Sequence, residues 1–403
     1  MITTKALAEK IGLEKNSGFW GIKNRYFFDK FECLRYASSI KEYDVKFYFY
    51  DSVYRTLDWS KEPIQSLDEM YKDRAQQLRD EYDYLILSFS GGSDCNNILR
   101  TFIDNNIKLD EVYCEYPIET LDKLKSQFHN NMHNPEFINM EWFTAAEPLL
   151  KKLSISNPEI KITIDSDVKS IIEVIESNEL YKLKRGGSIN PVNRYRSLYK
   201  IAEERTKYGS VVCINGSDKP SIYYNTITKQ FYNLYTDVVS SNTQFLHDTF
   251  SETRISLENF YLTYKYPQLN QKMAFAIKNK IVELIENKDV IYNSLLWGRE
   301  SKDFSSKLEH IHTYNAHTDL LKKVLYKTYD TSLWQAGKFS NFSHFYFGGC
   351  NWFYDRDITT ERTREFYDKQ ILELIHDIDY YFLSYQNNKP SKLKIFYTEK
   401  IPF

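Results

Sequence analysis

One segment near residue 90 restricts the fold more than any other part of the chain. A short, mostly apolar run, Tyr82–Phe89, leads through the turn Ser90–Cys95 into Asp94–Asn105, whose apolar residues share one helical face, and then into a second run, Glu111–Tyr116. Strand, glycine turn, helix and strand within about 35 residues predict a βαβ unit with parallel strands and a right-handed crossover. Such a unit implies a buried parallel sheet covered by helices, and this places the chain in the α/β class.

The pattern along the rest of the chain divides it into three regions. We expect an N-terminal α+β module over residues 1–80, the α/β domain over 81–240 and a mainly helical C-terminal region over 241–403, which would determine substrate or partner specificity. The predicted strands are Asp44–Phe49, Ser52–Thr56, Ile160–Ile164 and Ser210–Ile214, with a hairpin over Ser221–Leu234. The predicted helices are Ser66–Asp80, Asn139–Leu153, Val168–Ser177, Val192–Lys207, Ser251–Lys265, Gln271–Asn287, Ala316–Tyr326 and Arg362–Leu383.

The composition excludes several functional classes. Lys and Arg number 53 against 55 Asp and Glu, so no basic excess points to nucleic acid as a partner. No apolar run reaches the roughly 18–20 residues of a membrane span, and the start MITTKALAEKIGLEK lacks the apolar core of a secretory signal. The five cysteines contain no CxxC pair, which favours a reducing compartment over a disulfide framework or a four-cysteine zinc site. We therefore expect a soluble cytoplasmic protein.

The turn between the first predicted strand and helix has the chemistry of a phosphate site. Its sequence is Ser90-Gly91-Gly92-Ser93-Asp94-Cys95. Two glycines allow a tight turn and close approach of a ligand, and the helix that follows presents backbone N–H groups and the positive end of its dipole. Phosphate or pyrophosphate fits there, at the sheet edge where open α/β proteins bind ligands. The loop lacks both GxxxxGK[ST] and GxGxxG, so neither of those nucleotide motifs applies.

This loop resembles the SGGxD[S/T] loop of the PP-loop ATP pyrophosphatases, also called adenine nucleotide alpha hydrolases, a superfamily that includes asparagine synthetase and the PAPS reductases. The resemblance covers about residues 81–235 and implies a central parallel sheet of this Rossmann-like type. It also implies that ATP binds with its pyrophosphate in the loop, that Asp94 is catalytic and holds Mg²⁺, and that the second strand ends near the adenine. The residues implied to bind ATP are Ser88, Ser90, Gly91, Gly92, Ser93, Asp94, Cys95, Tyr113, Cys114 and Glu115. The family usually has Ser or Thr where this chain has Cys95, whose thiol is a weaker donor.

A second turn, Gly216-Ser217-Asp218-Lys219-Pro220, also follows a short apolar strand and can reach the same sheet edge. Lys219 is expected to neutralise phosphate charge and to act in catalysis. Asp218 is expected to join Asp94 on Mg²⁺, which favours one or two carboxylates together with phosphate oxygens. The alternative is a plain turn into the hairpin, in which neither Gly216 nor its neighbours bind a ligand.

Three further groups of residues give weaker signals. The basic loop Lys182–Ser188 and the helix after it could cover a triphosphate, but a solvated loop explains them better. The cations concerned are Lys184, Arg185, Arg194 and Arg196. The histidines at 129, 133, 310, 312 and 317 lack the acids or cysteines of a metal motif. The aromatic stretch Trp334–Tyr354 fits a hydrophobic core and a pocket wall equally well.

The resemblance implies cleavage of ATP to AMP and pyrophosphate, with adenylation of a substrate oxygen before an amide-type bond forms. The acceptor is an unspecified small molecule or macromolecule, and a homo-oligomer is compatible with the sequence. Sulfur transfer to a nucleobase or small molecule, carried by Cys95, Cys114 or Cys213, is one alternative. The other is a non-catalytic nucleotide-binding or phage-associated protein that keeps the fold. Replacing Asp94 by alanine is expected to abolish pyrophosphate release and to leave the fold intact.

Overall fold

The computed structural model of the chain describes residues 18–27, 30–115, 142–165, 194–216, 219–225, 227–237, 254–286, 311–315, 319–327, 372, 375–386, 389–394 and 396–403. None of the helices in that part of the chain offers the length of apolar residues that a membrane crossing requires. The predicted helix Val168–Ser177 lies outside the described residues.

A small antiparallel sheet forms the N-terminal part. Strand β1 (Gly18–Ile22) lies between β2 (Arg25–Phe27) and β3 (Lys46–Phe49), and helix α1 (Lys30–Ser39) connects β2 to β3. All five residues of β1 are buried, as expected for the middle strand of a covered sheet. The position of β3 confirms the strand predicted over Asp44–Phe49.

The strand predicted over Ser52–Thr56 is wrong, because a short helix, α2 (Asp51–Tyr54), occupies this position. Tyr50 has a left-handed backbone conformation with φ of 49°, which turns the chain sharply at the end of β3. The Asp51 carboxylate then accepts a hydrogen bond from the Phe49 N–H at 2.5 Å. Local bonding by an aspartate therefore outweighs the strand propensity of the valine, tyrosine and threonine that follow.

Helix α3 (Leu67–Glu81) confirms the helix predicted over Ser66–Asp80. The Ser66 hydroxyl accepts a hydrogen bond from the Glu69 N–H at 3.3 Å, and the Glu69 carboxylate accepts one from the Ser66 N–H at 2.8 Å. This reciprocal capping box satisfies two N–H groups that a helix N-terminus would otherwise leave without partners. The cap fixes the start of the helix that precedes the central sheet.

The remaining elements confirm most of the predicted strands and helices, with shifts of a few residues at their ends. In chain order they are β4 (Tyr84–Ser88), α4 (Ser93–Asp104), β5 (Glu111–Glu115), α5 (Glu147–Ser156), β6 (Lys161–Asp165), α6 (Arg194–Arg205), β7 (Val211–Asn215), β8 (Ser221–Asn225), β9 (Gln230–Leu234), β10 (Ile255–Asn259), α7 (Pro267–Glu286), β11 (Ile311–Asn315), α8 (Asp319–Leu325), β12 (Leu383–Gln386), β13 (Lys389–Leu393) and β14 (Ile401–Pro402).

The central sheet has the strand order β10-β7-β4-β5-β6, and all of its strand pairs are parallel. The chain enters this sheet at its middle strand, β4, and continues outward through β5 and β6. It then crosses to β7 and β10 on the other side of β4. In order of appearance this is 3-2-1-4-5, the arrangement of a Rossmann-like α/β sheet. The winding reverses between β4 and β7, where open sheets bind ligands at the carboxyl ends of their strands. The prediction of an α/β fold with a parallel central sheet is confirmed.

The helix predicted over Ser251–Lys265 is wrong, because β10 forms the edge of the central sheet there. This strand pairs in register with β7, so that Ile255 lies opposite Val211. The ladder extends beyond the strand, since the Val211 N–H donates to the Arg254 carbonyl oxygen at 2.9 Å. The sequence Ile-Ser-Leu-Glu-Asn is short and largely polar, so pairing with a distant strand decides its conformation rather than a local pattern.

A second, antiparallel sheet follows the central one and has the order β11-β8-β9-β14. Strands β8 and β9 confirm the hairpin predicted over Ser221–Leu234. The described part after residue 241 holds five strands, β10 to β14, beside helices α7 and α8, so the expected mainly helical region is mixed there. The range Arg362–Leu383, predicted as a helix, ends in a 3-10 turn, Tyr380–Phe382, that leads into β12.

Two large hydrophobic clusters hold these elements together. One surrounds the central sheet and fully buries Leu85 and Leu87 of β4 against Ile98 and Phe102 of α4. The other joins the N-terminal sheet to residues near the end of the chain. Its members include Trp20, Phe31, Phe47, Ile378, Phe382 and Phe396. The boundaries drawn at residues 80 and 240 stay predictions.

Candidate functional site

The loop between β4 and α4 reverses the chain at Gly91. This residue has φ of +82°, and a Cβ atom built on it would lie 2.8 Å from the backbone nitrogen of Ala146. Glycine is therefore required both by the left-handed conformation and by the close approach of another backbone. Gly92 has an ordinary extended conformation and occupies the N-cap position of α4. The two glycines thus have different roles, and only Gly91 depends on its missing side chain for the turn.

Helix α4 begins immediately after this turn and points its N-terminus at the sheet edge. Its first intrahelical bond runs from the Asn96 N–H to the Gly92 carbonyl oxygen at 2.9 Å. The Ser90 hydroxyl accepts a hydrogen bond from the Gly92 N–H at 3.2 Å and lies 3.8 Å from the Cys95 sulfur. The N–H groups of a first helical turn have no intrahelical acceptors, and the positive dipole end lies among them. The glycine turn and the helix N-terminus on which the predicted anion site depends are therefore present, and anion binding stays a prediction.

Asp94, in the first turn of α4, lies between two lysines. One carboxylate oxygen is 2.5 Å from the Lys219 ammonium, and the other is 3.8 Å from the Lys322 ammonium and accepts a hydrogen bond from the Tyr326 hydroxyl at 2.7 Å. Burial raises the pKa of Asp94, but the charges of Lys219 and Lys322 and the hydrogen bonds from Lys219 and Tyr326 outweigh it, and the pKa falls to about 2. Asp94 is consequently a carboxylate at neutral pH.

The second predicted loop reaches the same place. Gly216 lies against the start of α4, so that a Cβ atom there would be 3.1 Å from the side chain of Ile98 and 3.3 Å from the Cys95 nitrogen. Lys219 is buried, with 7% of its surface exposed, and its ammonium lies 5.6 Å from the centre of the Tyr261 ring. The structure thus brings Gly216 and Lys219 to the loop at residues 90–95, as predicted from their position after a strand. Asp218 lies outside the described residues.

Three residues of this site were not predicted from the sequence. Tyr261, two residues after β10, donates a hydrogen bond to the Asp94 carbonyl oxygen at 2.8 Å and accepts one from the Asn97 side-chain amide at 3.1 Å. Lys322 of α8 donates to the Ser93 hydroxyl at 2.7 Å, and Tyr326 lies one helical turn further on. Recognition of β10 as a strand would have placed Tyr261 at the carboxyl edge, whereas no local signal marks Lys322 or Tyr326.

The residues expected near the adenine are buried or half-buried. Tyr113 and Cys114 of β5 are buried in the core of the sheet, with 1% and 0% of their surfaces exposed. Ser88, which is predicted to bind ATP without a place near the adenine, is half-buried at the end of β4 and pairs in register with Tyr113. Glu115, at the end of β5, is half-buried and lies opposite Asp165 of β6. Of the predicted adenine residues, Glu115 is therefore the one placed nearest the carboxyl edge.

The described residues do not supply a magnesium site at Asp94 in this arrangement. Mg²⁺ requires oxygen ligands, and both oxygens of this carboxylate already contact Lys219, Tyr326 or Lys322. Among the described residues, no group of three or more His, Cys, Asp or Glu side chains could hold a metal ion. The Mg²⁺ roles of Asp94 and Asp218 stay predictions.

The weaker sequence candidates fall mostly outside the described residues. Lys184 and Arg185 lie there, together with histidines 129, 133, 310 and 317 and the aromatic stretch Trp334–Tyr354. The backbones of Arg194 and Arg196 belong to α6 and that of His312 to β11, while their side chains are not among those described.

Comparison of the chain with protein-family models, with curated proteins and with solved structures finds no match in any of the three. The geometry of the site is therefore the basis for a functional assignment.

Proposed function

We propose that the chain binds ATP at the carboxyl edge of the central sheet and cleaves it to AMP and pyrophosphate. The main support is the meeting of loop residues 90–95 with Lys219 and Lys322 at the point where the winding of the sheet reverses. A glycine turn, a helix N-terminus and two ammonium groups at one place suit a chain of phosphates. The resemblance of the loop to SGGxD[S/T] supports cleavage between the α- and β-phosphates.

The parts of the site have distinct roles in the proposed reaction. Backbone N–H groups in the first turn of α4 bind the pyrophosphate portion of ATP, and the helix dipole favours its negative charge. Lys219 and Lys322 stabilise the charge that grows on pyrophosphate as its bond to the α-phosphorus breaks. Asp94 keeps both ammonium groups at the loop. Bound Mg²⁺ would supply counter-charge to the phosphates of ATP, and none of the described residues is assigned to it as a ligand.

The proposed chemistry proceeds in two displacements. A carboxylate or amide oxygen of the acceptor forms a bond to the α-phosphorus while the bond from phosphorus to the pyrophosphate oxygen breaks. A nucleophile such as an amine then attacks the activated carbon, and AMP leaves with the acceptor oxygen.

A cytoplasmic location belongs to the proposal and is supported by the four described cysteines, none of which is in a disulfide.

Incubation with ATP labelled at the α-phosphate, in the presence of a mixture of metabolites, tests the proposal. Labelled AMP is expected, whereas labelled ADP would contradict the assigned bond. Lys219→Met should lower AMP formation by about 100-fold or more, because a preorganised charge at the departing group is lost. Lys323→Met, which removes an exposed lysine on α8, is the matched control for loss of a neighbouring charge and should leave the rate unchanged.

Cys95 favours a second candidate function, a nucleotide-binding protein that does not turn ATP over. The thiol is buried at the position where a hydroxyl donor is expected, and it lies 3.8 Å from the Ser90 hydroxyl. Binding through backbone N–H groups does not depend on that side chain. Measurable ATP binding with neither AMP nor ADP formed would support this second function over the first.

Sulfur transfer gains no support from Cys114 or Cys213. A sulfur carrier needs an accessible thiolate, yet Cys114 and Cys213 have no exposed surface. Burial, reinforced by the charge of Glu111, raises the pKa of the Cys213 thiol far above its usual range. We therefore assign these two cysteines to the core of the sheet.

A further inference from the structure

Two ammonium groups reach the loop at residues 90–95 from two distant segments of the sequence. Lys219 comes from the turn after β7, and its side chain is almost fully buried. Lys322 comes from α8, retains 17% exposure of its side chain and donates to the Ser93 hydroxyl at 2.7 Å. Both converge on the single carboxylate of Asp94, so the three side chains together carry one net positive charge. A buried cluster with a net positive charge at a helix N-terminus attracts an anion.

Asp94 is engaged on both of its oxygens. Lys219 contacts one oxygen at 2.5 Å, and Tyr326 donates to the other at 2.7 Å. A cation bound to either oxygen would lie beside at least one ammonium group, and like charges at such short range in a buried site repel strongly. The same contacts are favourable if the carboxylate serves to hold the lysines, because a carboxylate beside a buried ammonium offsets its loss of hydration.

We infer that Asp94 is a positioning residue for Lys219 and Lys322, and that these lysines bind the phosphates of the nucleotide with no metal ion on Asp94. This inference rests on the proposed function, because it names how that same site holds phosphate. Lys322 is one of the three site residues that the sequence did not indicate, and it brings α8 into the binding of ATP.

Titration of the full chain with inorganic pyrophosphate by isothermal calorimetry tests the inference, with one series in EDTA and one in Mg²⁺. The wild-type protein is expected to bind pyrophosphate in EDTA. Lys322→Met should weaken this binding by about tenfold or more, the usual effect of losing one charge-assisted contact. Lys322→Arg keeps the charge and should restore binding to within about threefold of wild type.

Lys323→Met is the matched control, because it removes a neighbouring charge on α8 and should leave the affinity for pyrophosphate unchanged. Far-UV circular dichroism of each variant establishes that the fold persists.

The outcomes separate the inference from the proposed function. Binding by the wild type only when Mg²⁺ is present would overturn the inference and leave the proposed phosphate site standing. Equal affinities of wild type and Lys322→Met in EDTA would also overturn it. Absence of binding of both pyrophosphate and ATP in either buffer would refute the proposed function, and the inference with it.

Discussion

Replacing Asp94 by alanine is expected to destabilise the fold as well as disable the site. The carboxylate lies 2.5 Å from the buried ammonium of Lys219 and accepts a hydrogen bond from Tyr326. Alanine would leave this ammonium in a buried position without the carboxylate that offsets its loss of hydration. The sequence predicts an intact fold for this variant, whereas the contacts of Asp94 in the structure predict a less stable one.

Two estimates of the loss in the free energy of unfolding give a similar size. A fall in the pKa of Asp94 from 3.8 to about 2 corresponds to about 2.5 kcal/mol in favour of the charged form. Removing one partner of a buried ion pair costs roughly 3–5 kcal/mol, and the low end applies because 19% of the Asp94 side chain is exposed. Since the pKa is lowered in the folded state, this stabilisation is complete at neutral pH and is lost as the pH falls from about 4 towards 2.

Urea unfolding at neutral pH, followed by circular dichroism and by tryptophan fluorescence, measures the change in the free energy of unfolding if the two transitions coincide. A double-mutant cycle with Lys219→Met isolates the ion pair, and we expect a coupling energy of at least about 2 kcal/mol. Asp104→Ala is the control. It removes a carboxylate at the far end of α4 whose partner, Arg100, is exposed, and it should change stability by less than about 1 kcal/mol.

A loss below about 1 kcal/mol for Asp94→Ala, or a coupling energy near zero, would refute the reasoning. Either result would mean that Lys219 finds another partner or water when the carboxylate is absent, and that the buried ion pair does not hold the two loops together.

Three further changes test other parts of the structure. Gly91→Ala should lower the free energy of unfolding by about 2 kcal/mol or more, because the left-handed backbone alone costs roughly 1–2 kcal/mol and the new Cβ atom meets Ala146. Unchanged stability in urea would contradict the geometry of the turn. Cys95→Ser should keep or raise the rate of AMP formation, since a hydroxyl is the better donor, and a complete loss would mean that the thiol itself is chemical. Ser66→Ala should lower stability by about 1 kcal/mol through loss of the cap on α3, as thermal unfolding would show.

Local sequence signals were sufficient for the core of the site. The strand, glycine turn and helix around Gly91 are set by residues close together in the chain, and the structure has them as predicted. The arrival of Lys219 at the same edge also followed from its place after a strand, because the carboxyl ends of parallel strands share one edge.

The contacts that α8, Tyr326 and β10 make with distant segments were beyond prediction. The Tyr326 hydroxyl contacts Asp94 across 232 residues, and no local sequence pattern marks a residue that makes such a contact. The error at Ser251–Lys265 has a similar origin, since the conformation of this segment is decided by pairing with β7. That error also concealed Tyr261, which lies just beyond the strand and bonds to the backbone of Asp94.

The spread of the site along the chain has a consequence for biosynthesis. Asp94 leaves the ribosome long before Lys219. Lys322 leaves it later still, after about 230 further residues have been added to the chain. At about 5–20 residues per second, roughly 10–45 s separate the two ends of this cluster. Until Lys219 has been synthesised, the Asp94 carboxylate has only water as a counterpart for its charge, while β4, α4 and β5 are already available to pack together. The proposed phosphate site is thus completed late in synthesis, and a nascent chain halted before α8 would carry the loop at residues 90–95 without its second lysine.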